Sequence, residues 1–362
     1  MARAIAPPEK PKGRDYGYGN ARVRGMKARL LDVAFYEQLL DSADMNQVIT
    51  ALSGTEYGPD IEAEVLHGRT ATRVDEGLKE NMARTFRKVM DFLDGEAQYI
   101  MSTLLGRWDV FNLKTIVRGC HLSMSREEIV DSLLPVGHMS DVELDPLAAS
   151  GDVRTLIDTL VTWRHPYAAP LREAMPSYLG EGDIASLELA LDRYYATWAH
   201  RRLAGRNSNM AVARRILEYQ IDSTNLMTGM RLQKADVEDI EVSRFYLEGG
   251  WAVSEKLFTA LATMSDIDEL LDAVKGTPYG KTLEEAAPRY VETGTIAVFE
   301  RALEDYVMRK ALATGVGDPL GIGVVISYLW GKQNEVQNLR IIVKGVSVGM
   351  PKDRVRRELI LV

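Results

Sequence analysis

Three copies of one short pattern, set at a constant spacing along the chain, constrain its fold more than any other feature. The dipeptide Asn-Leu occurs at residues 112–113, 225–226 and 338–339, so each copy begins 113 residues after the one before. An acidic residue stands three positions before each asparagine, and a basic residue stands six positions after it. These residues are Asp109, Asp222 and Glu335, and Arg118, Arg231 and Lys344. Because chance rarely produces a constant offset, the pattern predicts three similar units.

A second landmark divides the chain in the same way. Residues 54–58 (Gly-Thr-Glu-Tyr-Gly) match residues 276–280 (Gly-Thr-Pro-Tyr-Gly), and His165-Pro166-Tyr167 occupies the middle position. We place three helical repeats after a leader over residues 1–21, with boundaries at 22–134, 135–247 and 248–362. The leader has three prolines among basic residues and no apolar stretch of the signal-peptide kind, so we expect it to be disordered.

Apolar residues recur with helical spacing along nearly the whole chain, which predicts an all-α fold. One such stripe consists of Leu257, Leu261, Met264, Ile267, Leu271 and Val274. Asp318 followed by Pro319 is typical of an N-cap with proline at the first helical position, so we expect a helix from there through Trp330. The repeat is longer than solenoid units of about 33 to 47 residues and suffices for a helical bundle. Three similar bundles with pseudo-threefold symmetry would surround a hollow.

Composition argues against several classes of protein. With 44 basic and 52 acidic side chains, the net charge of −8 disfavours nonspecific nucleic-acid binding. The single cysteine, Cys120, excludes an intramolecular disulfide framework and makes a cytoplasmic location the default expectation. The longest apolar run, residues 321–330, is about half of the roughly 20 residues that a membrane-spanning helix needs. We therefore expect a chain without a transmembrane segment.

No segment carries a complete signature of catalysis or cofactor binding. Residues 276–282 (Gly-Thr-Pro-Tyr-Gly-Lys-Thr) are one residue short of a phosphate-binding P-loop, and an interhelical turn is the favoured interpretation. The glycines at 315 and 317 follow a helical pattern, whereas a dinucleotide-binding motif requires a strand there. The five histidines lack metal-ligand spacing. We predict no catalytic residue, cofactor, metal or small-molecule substrate, although spacing does not test a Ser/His/Asp triad assembled from distant positions.

The repeated acid, asparagine and base have two interpretations. In the structural one, the acid and the asparagine, which share one helical face, bond to neighbouring backbone while the base bridges to another helix or lobe. In the functional one, Arg118, Arg231 and Lys344 form a basic triplet around the central axis that binds an acidic partner. The structural interpretation is favoured, and the three basic residues are kept as interface candidates.

Both ends of the chain carry segments typical of one known family. Residues 18–31 (Tyr-Gly-Asn-Ala-Arg-Val-Arg-Gly-Met-Lys-Ala-Arg-Leu-Leu) form the first segment. Residues 318–323 (Asp-Pro-Leu-Gly-Ile-Gly), Tyr328-Leu329 and residues 335–340 (Glu-Val-Gln-Asn-Leu-Arg) form the second, and the Gly-Thr-Pro-Tyr at 276–279 fits an inter-helix turn. Together they resemble the C subunit of the A-type and bacterial V-type (archaeal-type) ATP synthases, over nearly the whole chain outside the leader.

The resemblance implies a three-lobed, all-helical funnel, homologous to the d subunit of the eukaryotic vacuolar ATPase. It also implies a non-catalytic rotor subunit, present in one copy per complex on the cytoplasmic face of the membrane. Its partners would be the membrane proteolipid ring and central-stalk subunits of the D and F type, coupled for ATP-linked proton or sodium transport. Two alternatives stay open: a helical scaffold for an unrelated partner and, least favoured, a nucleotide-binding protein.

Overall fold

A computed structural model describes residues 16–235, 242–264 and 266–361 of the chain. Within these ranges the regular structure is helical and contains no β-strand, which confirms the all-α prediction. Residues 1–15 of the predicted disordered leader lie outside the described residues, whereas residues 17–21 belong to the first helix. None of the described helices is both long enough and apolar enough to cross a bilayer.

The described helices are numbered in chain order. The first third of the chain contains α1 (Gly17–Lys27), α2 (Val33–Leu40), α3 (Met45–Ser53), α4 (Gly58–Val65), α5 (Ala71–Phe92), α6 (Gly95–Leu105), α7 (Arg107–His121) and α8 (Arg126–Val130). The middle third contains α9 (Asp141–Ala148), α10 (Val153–Thr162), α11 (Ala168–Glu181), α12 (Ile184–Arg202), α13 (Ser208–Ala235) and a 3-10 helix (Ser243–Phe245). The last third contains α14 (Glu255–Thr263), α15 (Ile267–Val274), α16 (Gly280–Thr293), α17 (Ala297–Gly317), α18 (Gly323–Ser347) and α19 (Lys352–Arg356).

Local side-chain chemistry fixes many of the helix ends. The side chain of Asp44 accepts a hydrogen bond from the backbone N–H of Gln47 and caps the start of α3. Ser125 and Glu128 form a reciprocal capping box at the start of α8. Gly182 and Gly294 end α11 and α16 with φ of 68° and 66°, a left-handed conformation that favours glycine.

The structure divides one apolar stripe between two helices and corrects one predicted helix boundary. The stripe that begins at Leu257 spans two helices, because Asp266 accepts a hydrogen bond from the N–H of Glu269 and caps a new helix, α15. Asp318 follows the end of α17 in an extended conformation, and its side chain bonds to the N–H two residues later within a turn. The last long helix therefore begins at Gly323 instead of Pro319, and it continues past Trp330 to Ser347.

The long helices pack in a pattern that recurs in each third of the chain. Helix α7 packs against α12, α13 packs against α17, and α18 packs against α5. The third contact links the last third of the chain back to the first. A large hydrophobic cluster runs from Tyr16 to Ile360, and a second one surrounds Phe258, Tyr279 and Phe299. The core is therefore continuous across the ends of the chain.

Candidate functional site

The three repeated asparagines are fully buried, and each bonds to the backbone of a residue 22 positions later. The pairs are Asn112 with Leu134, Asn225 with Leu247 and Asn338 with Ile360, at N···O distances between 2.8 and 3.0 Å. In each pair the side-chain amide donates to the carbonyl and accepts from the N–H of the same residue, as a paired backbone would. We call these contacts the asparagine clamps. They agree with the structural interpretation of the repeated asparagine.

The first two repeated acids also bond to backbone, about 30 residues further along the chain. One carboxylate oxygen of Asp109 accepts the N–H groups of His138 and Met139 at 2.8 and 2.9 Å. The carboxylate of Asp222 accepts the N–H groups of residues 251–253 at 2.7 to 3.1 Å. Both acids are almost completely buried, so these charge-assisted bonds anchor the segment that leads out of each asparagine clamp.

The third acid, Glu335, is bonded by the beginning of the chain instead. Its carboxylate accepts the N–H of Leu31 and the hydroxyl of Tyr57, the latter at 2.7 Å. Lys332 Nζ lies 3.1 Å from the same carboxylate and 3.8 Å from the centre of the Tyr57 ring. Burial raises the pKa of the Tyr57 hydroxyl well above its usual range and lowers the pKa of Lys332. This buried cluster fixes α18 to the first third of the chain.

The structure places two of the three interface candidates in ion pairs between helices. Arg118 bonds to both carboxylate oxygens of Glu188 on α12 at 2.5 and 2.7 Å, and these hydrogen bonds raise the pKa of its guanidinium. Arg231 lies 3.0 Å from the carboxylate of Glu300 on α17. Lys344 is exposed, has no carboxylate within 4 Å among the described residues, and lines a cavity of about 740 Å³ between α5, α17 and α18. Two of the three bases therefore bridge helices.

Helices from all three thirds of the chain line a second cavity of about 330 Å³, which we call the shared cavity. Residues of α7, α12, α13, α17 and α18 form its wall. Arg107, Gln220 and Gln333 face it, and they are again spaced by 113 residues. The guanidinium of Arg107 donates a hydrogen bond to the side-chain carbonyl of Gln333, and it lies 4.5 Å from the centre of the Trp330 ring. Burial lowers the pKa of Arg107 to about 10.

Sequence reasoning missed this set of residues, although a signal for it was present. The three positions stand five residues before the repeated asparagines, but they carry one arginine and two glutamines, so no shared residue type marked them. A search for positions that recur at the repeat spacing, regardless of residue identity, would have found them.

The segment that resembles a P-loop forms the predicted interhelical turn. Residues 275–279 connect α15 to α16, and no strand precedes them within the described ranges. Tyr279 is fully buried and its hydroxyl donates to Asp222 at 2.9 Å, so the turn serves the core. The side chain of Lys281 is 86% exposed beside Glu285 and does not point at a phosphate cradle. Gly315 and Gly317 lie inside α17. A dinucleotide-binding motif requires a strand before its glycines, so that interpretation fails.

The surroundings of Cys120 disfavour a reactive thiol. Cys120 is buried, and its burial raises the pKa of the thiol to about 11, which disfavours the reactive thiolate. Across the part of the chain that the structure describes, no group of three or more His, Cys, Asp and Glu side chains is arranged to hold a metal ion.

These features define an all-helical protein in which buried acids and asparagines recur and long helices share one cavity. The family model for the ATP synthase (C/AC39) subunit matches residues 19–358, and the chain belongs to this family. It is 28% identical to the C subunit of the A-type ATP synthase from Haloquadratum walsbyi, over 94% of this chain and 97% of the relative. It is also 28% identical to the C subunit of the V-type ATP synthase from Deinococcus radiodurans, over 95% and 91%. The family resemblance drawn from the sequence is confirmed.

Proposed function

We propose that this chain is a non-catalytic rotor subunit of an A/V-type ATP synthase. It joins the central stalk, through subunits of the D and F type, to the membrane proteolipid ring, with one copy in each complex. In this role it transmits the rotation that couples ATP synthesis or hydrolysis to the transport of protons or sodium, and it catalyses neither process itself. It lies on the cytoplasmic face of the membrane as a peripheral subunit. The family and its relatives among ATP synthase subunits support this role.

The body of the proposed rotor part consists of three similar bundles at residues 22–134, 135–247 and 248–362. The asparagine clamps support this division, because each one ends on a residue at or within two positions of the end of its unit. The bond between Glu335 and Tyr57 supports closure of the third bundle onto the first. A closed set of three bundles around a hollow is the funnel that we propose.

The shared cavity is the observation that carries the proposal. Long helices from all three units line it, so the tip of a stalk that reaches it would contact all three units. Such an insertion spreads torque over many contacts, and the close-packed helices around it supply the necessary stiffness. The interface should be large and partly polar, as stable protein interfaces are.

The interface candidates take different roles in this proposal. Arg118 and Arg231 stiffen the junctions between units through their pairs with Glu188 and Glu300. Lys344 is the candidate for direct contact with an acidic partner, because its ammonium group has no carboxylate within 4 Å among the described residues and borders an open cavity.

Affinity capture of the tagged chain from its native membranes in mild detergent, followed by mass spectrometry, tests the proposal. Recovery of both proteolipid and central-stalk subunits is the expected result. Recovery of an unrelated complex, with intact ATP synthase in the same extract, would favour the scaffold alternative. Calorimetric titration with MgATP separates the nucleotide-binding alternative, and we expect no heat of binding because the P-loop-like segment is a turn that serves the core.

A further inference from the structure

Arg107 is a cation in the wall of the shared cavity without an acid beside it. No carboxylate lies within 4 Å of its guanidinium nitrogens among the described residues, and its buried Nε has no hydrogen-bond partner. The two acids that line the same cavity are engaged elsewhere. Asp192 pairs with Lys114 at 2.6 Å, and Glu304 pairs with Arg301 at 3.2 Å.

The remaining contacts of Arg107 are neutral. Its guanidinium carbon lies 5.1 Å from the centre of the Trp108 ring and 4.5 Å from that of Trp330, and it donates to the side-chain carbonyl of Gln333. Arg107 is partly buried, and cation–π contacts with one neutral acceptor compensate only part of the cost of removing its charge from water. The buried Oε1 of Gln220, on the same cavity, also has no partner.

The fold itself does not require a charge at this position. Gln220 and Gln333 stand at the corresponding positions 113 and 226 residues later, and both are neutral amides on helices that pack in the same way as α7. A glutamine at position 107 would therefore suit the local packing, and the arginine carries a cost without a structural reason. Such a group is expected where a ligand supplies the missing charge.

We propose that the shared cavity binds a carboxylate group, which pairs with Arg107. The inference rests on the proposed function, and it assigns the carboxylate to the stalk segment that enters the cavity. One guanidinium matches a singly charged, planar carboxylate, whereas a phosphate dianion would leave charge uncompensated. Leu217, Ile221 and Met308 are among the residues of the wall, so a bound carboxylate would be accompanied by apolar groups. A segment of protein chain supplies a carboxylate and apolar side chains together.

The test compares variants of the full-length chain in binding to the purified stalk subcomplex of D-type and F-type subunits. Arg107→Gln should weaken binding at least tenfold, because a buried charge pair loses its cation. The melting temperature of the free chain should stay the same or rise, because a partly buried charge without an acidic partner is removed. Arg107→Lys should fall between the wild type and Arg107→Gln, since it keeps the charge and loses the bidentate geometry.

Arg202→Gln is the matched control. This arginine is also partly buried and stacks on Tyr99 and Trp198, but it bonds to Thr103 and does not line the shared cavity. Its loss should leave stalk affinity within about twofold, because it removes no partner contact.

The outcomes separate the two levels of the proposal. If wild type binds the stalk and Arg107→Gln binds equally well, the carboxylate site is wrong and the proposed function stands. If wild type does not bind the stalk, the proposed function fails, and so does the assignment of the carboxylate to the stalk. Sodium acetate then tests the site alone: in place of chloride at equal ionic strength, it should raise the melting temperature of wild type and not that of Arg107→Gln. Equal shifts in both would overturn the site.

Discussion

Replacement of Asn225 by alanine tests the asparagine clamps most sharply. The side chain of Asn225 is fully buried and makes two bonds of 2.9 Å to the backbone N–H and C=O of Leu247, which is itself 5% exposed. The alanine variant leaves both backbone groups buried without these partners. At about 1 to 3 kcal/mol for each unsatisfied group, we expect a loss of about 2 to 6 kcal/mol in the free energy of unfolding.

Urea unfolding followed by circular dichroism measures this loss. Asn46→Ala is the matched control, because Asn46 is an exposed residue of α3 whose side chain makes no hydrogen bond within the described ranges. The control should change the free energy of unfolding by less than about 0.5 kcal/mol. A loss at Asn225 no larger than at the control would refute the clamp as a source of stability. Asn112→Ala should lose a similar amount, and Asn338→Ala should lose less, because Asn334 also donates to the carbonyl of Ile360 at 2.9 Å.

Three further predictions concern close packing, alkaline pH and the surface ion pairs. Gly250→Ala should cost about 1 to 3 kcal/mol of unfolding free energy in urea, because an added Cβ overlaps the Asp222 carboxylate. Gly25→Ala is the control and should not destabilise the chain, because the space around Gly25 is open. Equal effects of the two substitutions would contradict the packing argument. Burial raises the pKa of the Tyr306 hydroxyl from 10 to about 12. Its contribution to the free energy of unfolding is therefore complete below pH 10 and is lost as the pH rises toward 12. The loss of stability at alkaline pH should be smaller in Tyr306→Phe, and the same pH profile in both proteins would contradict this assignment. Arg118→Gln should cost less than about 1 kcal/mol by the same unfolding assay, because its ion pair is half-exposed, and a loss of several kcal/mol would give that pair a larger structural role than we assign.

Sequence was sufficient for the features that repeat with the same residue type. The acid and the asparagine lie on one helical face, and each needs a buried backbone partner, so their spacing predicted their structural role. Glycine and proline marked the breaks around Gly54, Gly182 and Gly276, where the structure places helix ends or turns. These signals are local or exactly periodic, which is why they are readable without a structure.

Features that depend on contacts between distant segments were not predictable. An apolar stripe does not reveal that Asp266 caps a second helix, because helical spacing continues across the break. The bonds of Glu335 to Leu31 and Tyr57 join residues about 280 to 300 positions apart, and no sequence spacing predicts them. Arg107 was missed because the two corresponding positions carry a different residue type.

The central claim is that this chain holds the stalk to the ring, and a bridging experiment tests it directly. The purified proteolipid ring is immobilised in mild detergent, and the purified stalk subcomplex is applied with and without the chain. The account predicts that the stalk is retained on the ring only when the chain is present, with one copy of the chain per ring. Retention of the stalk to the same extent without the chain, or failure of the chain to bind either partner, would contradict it.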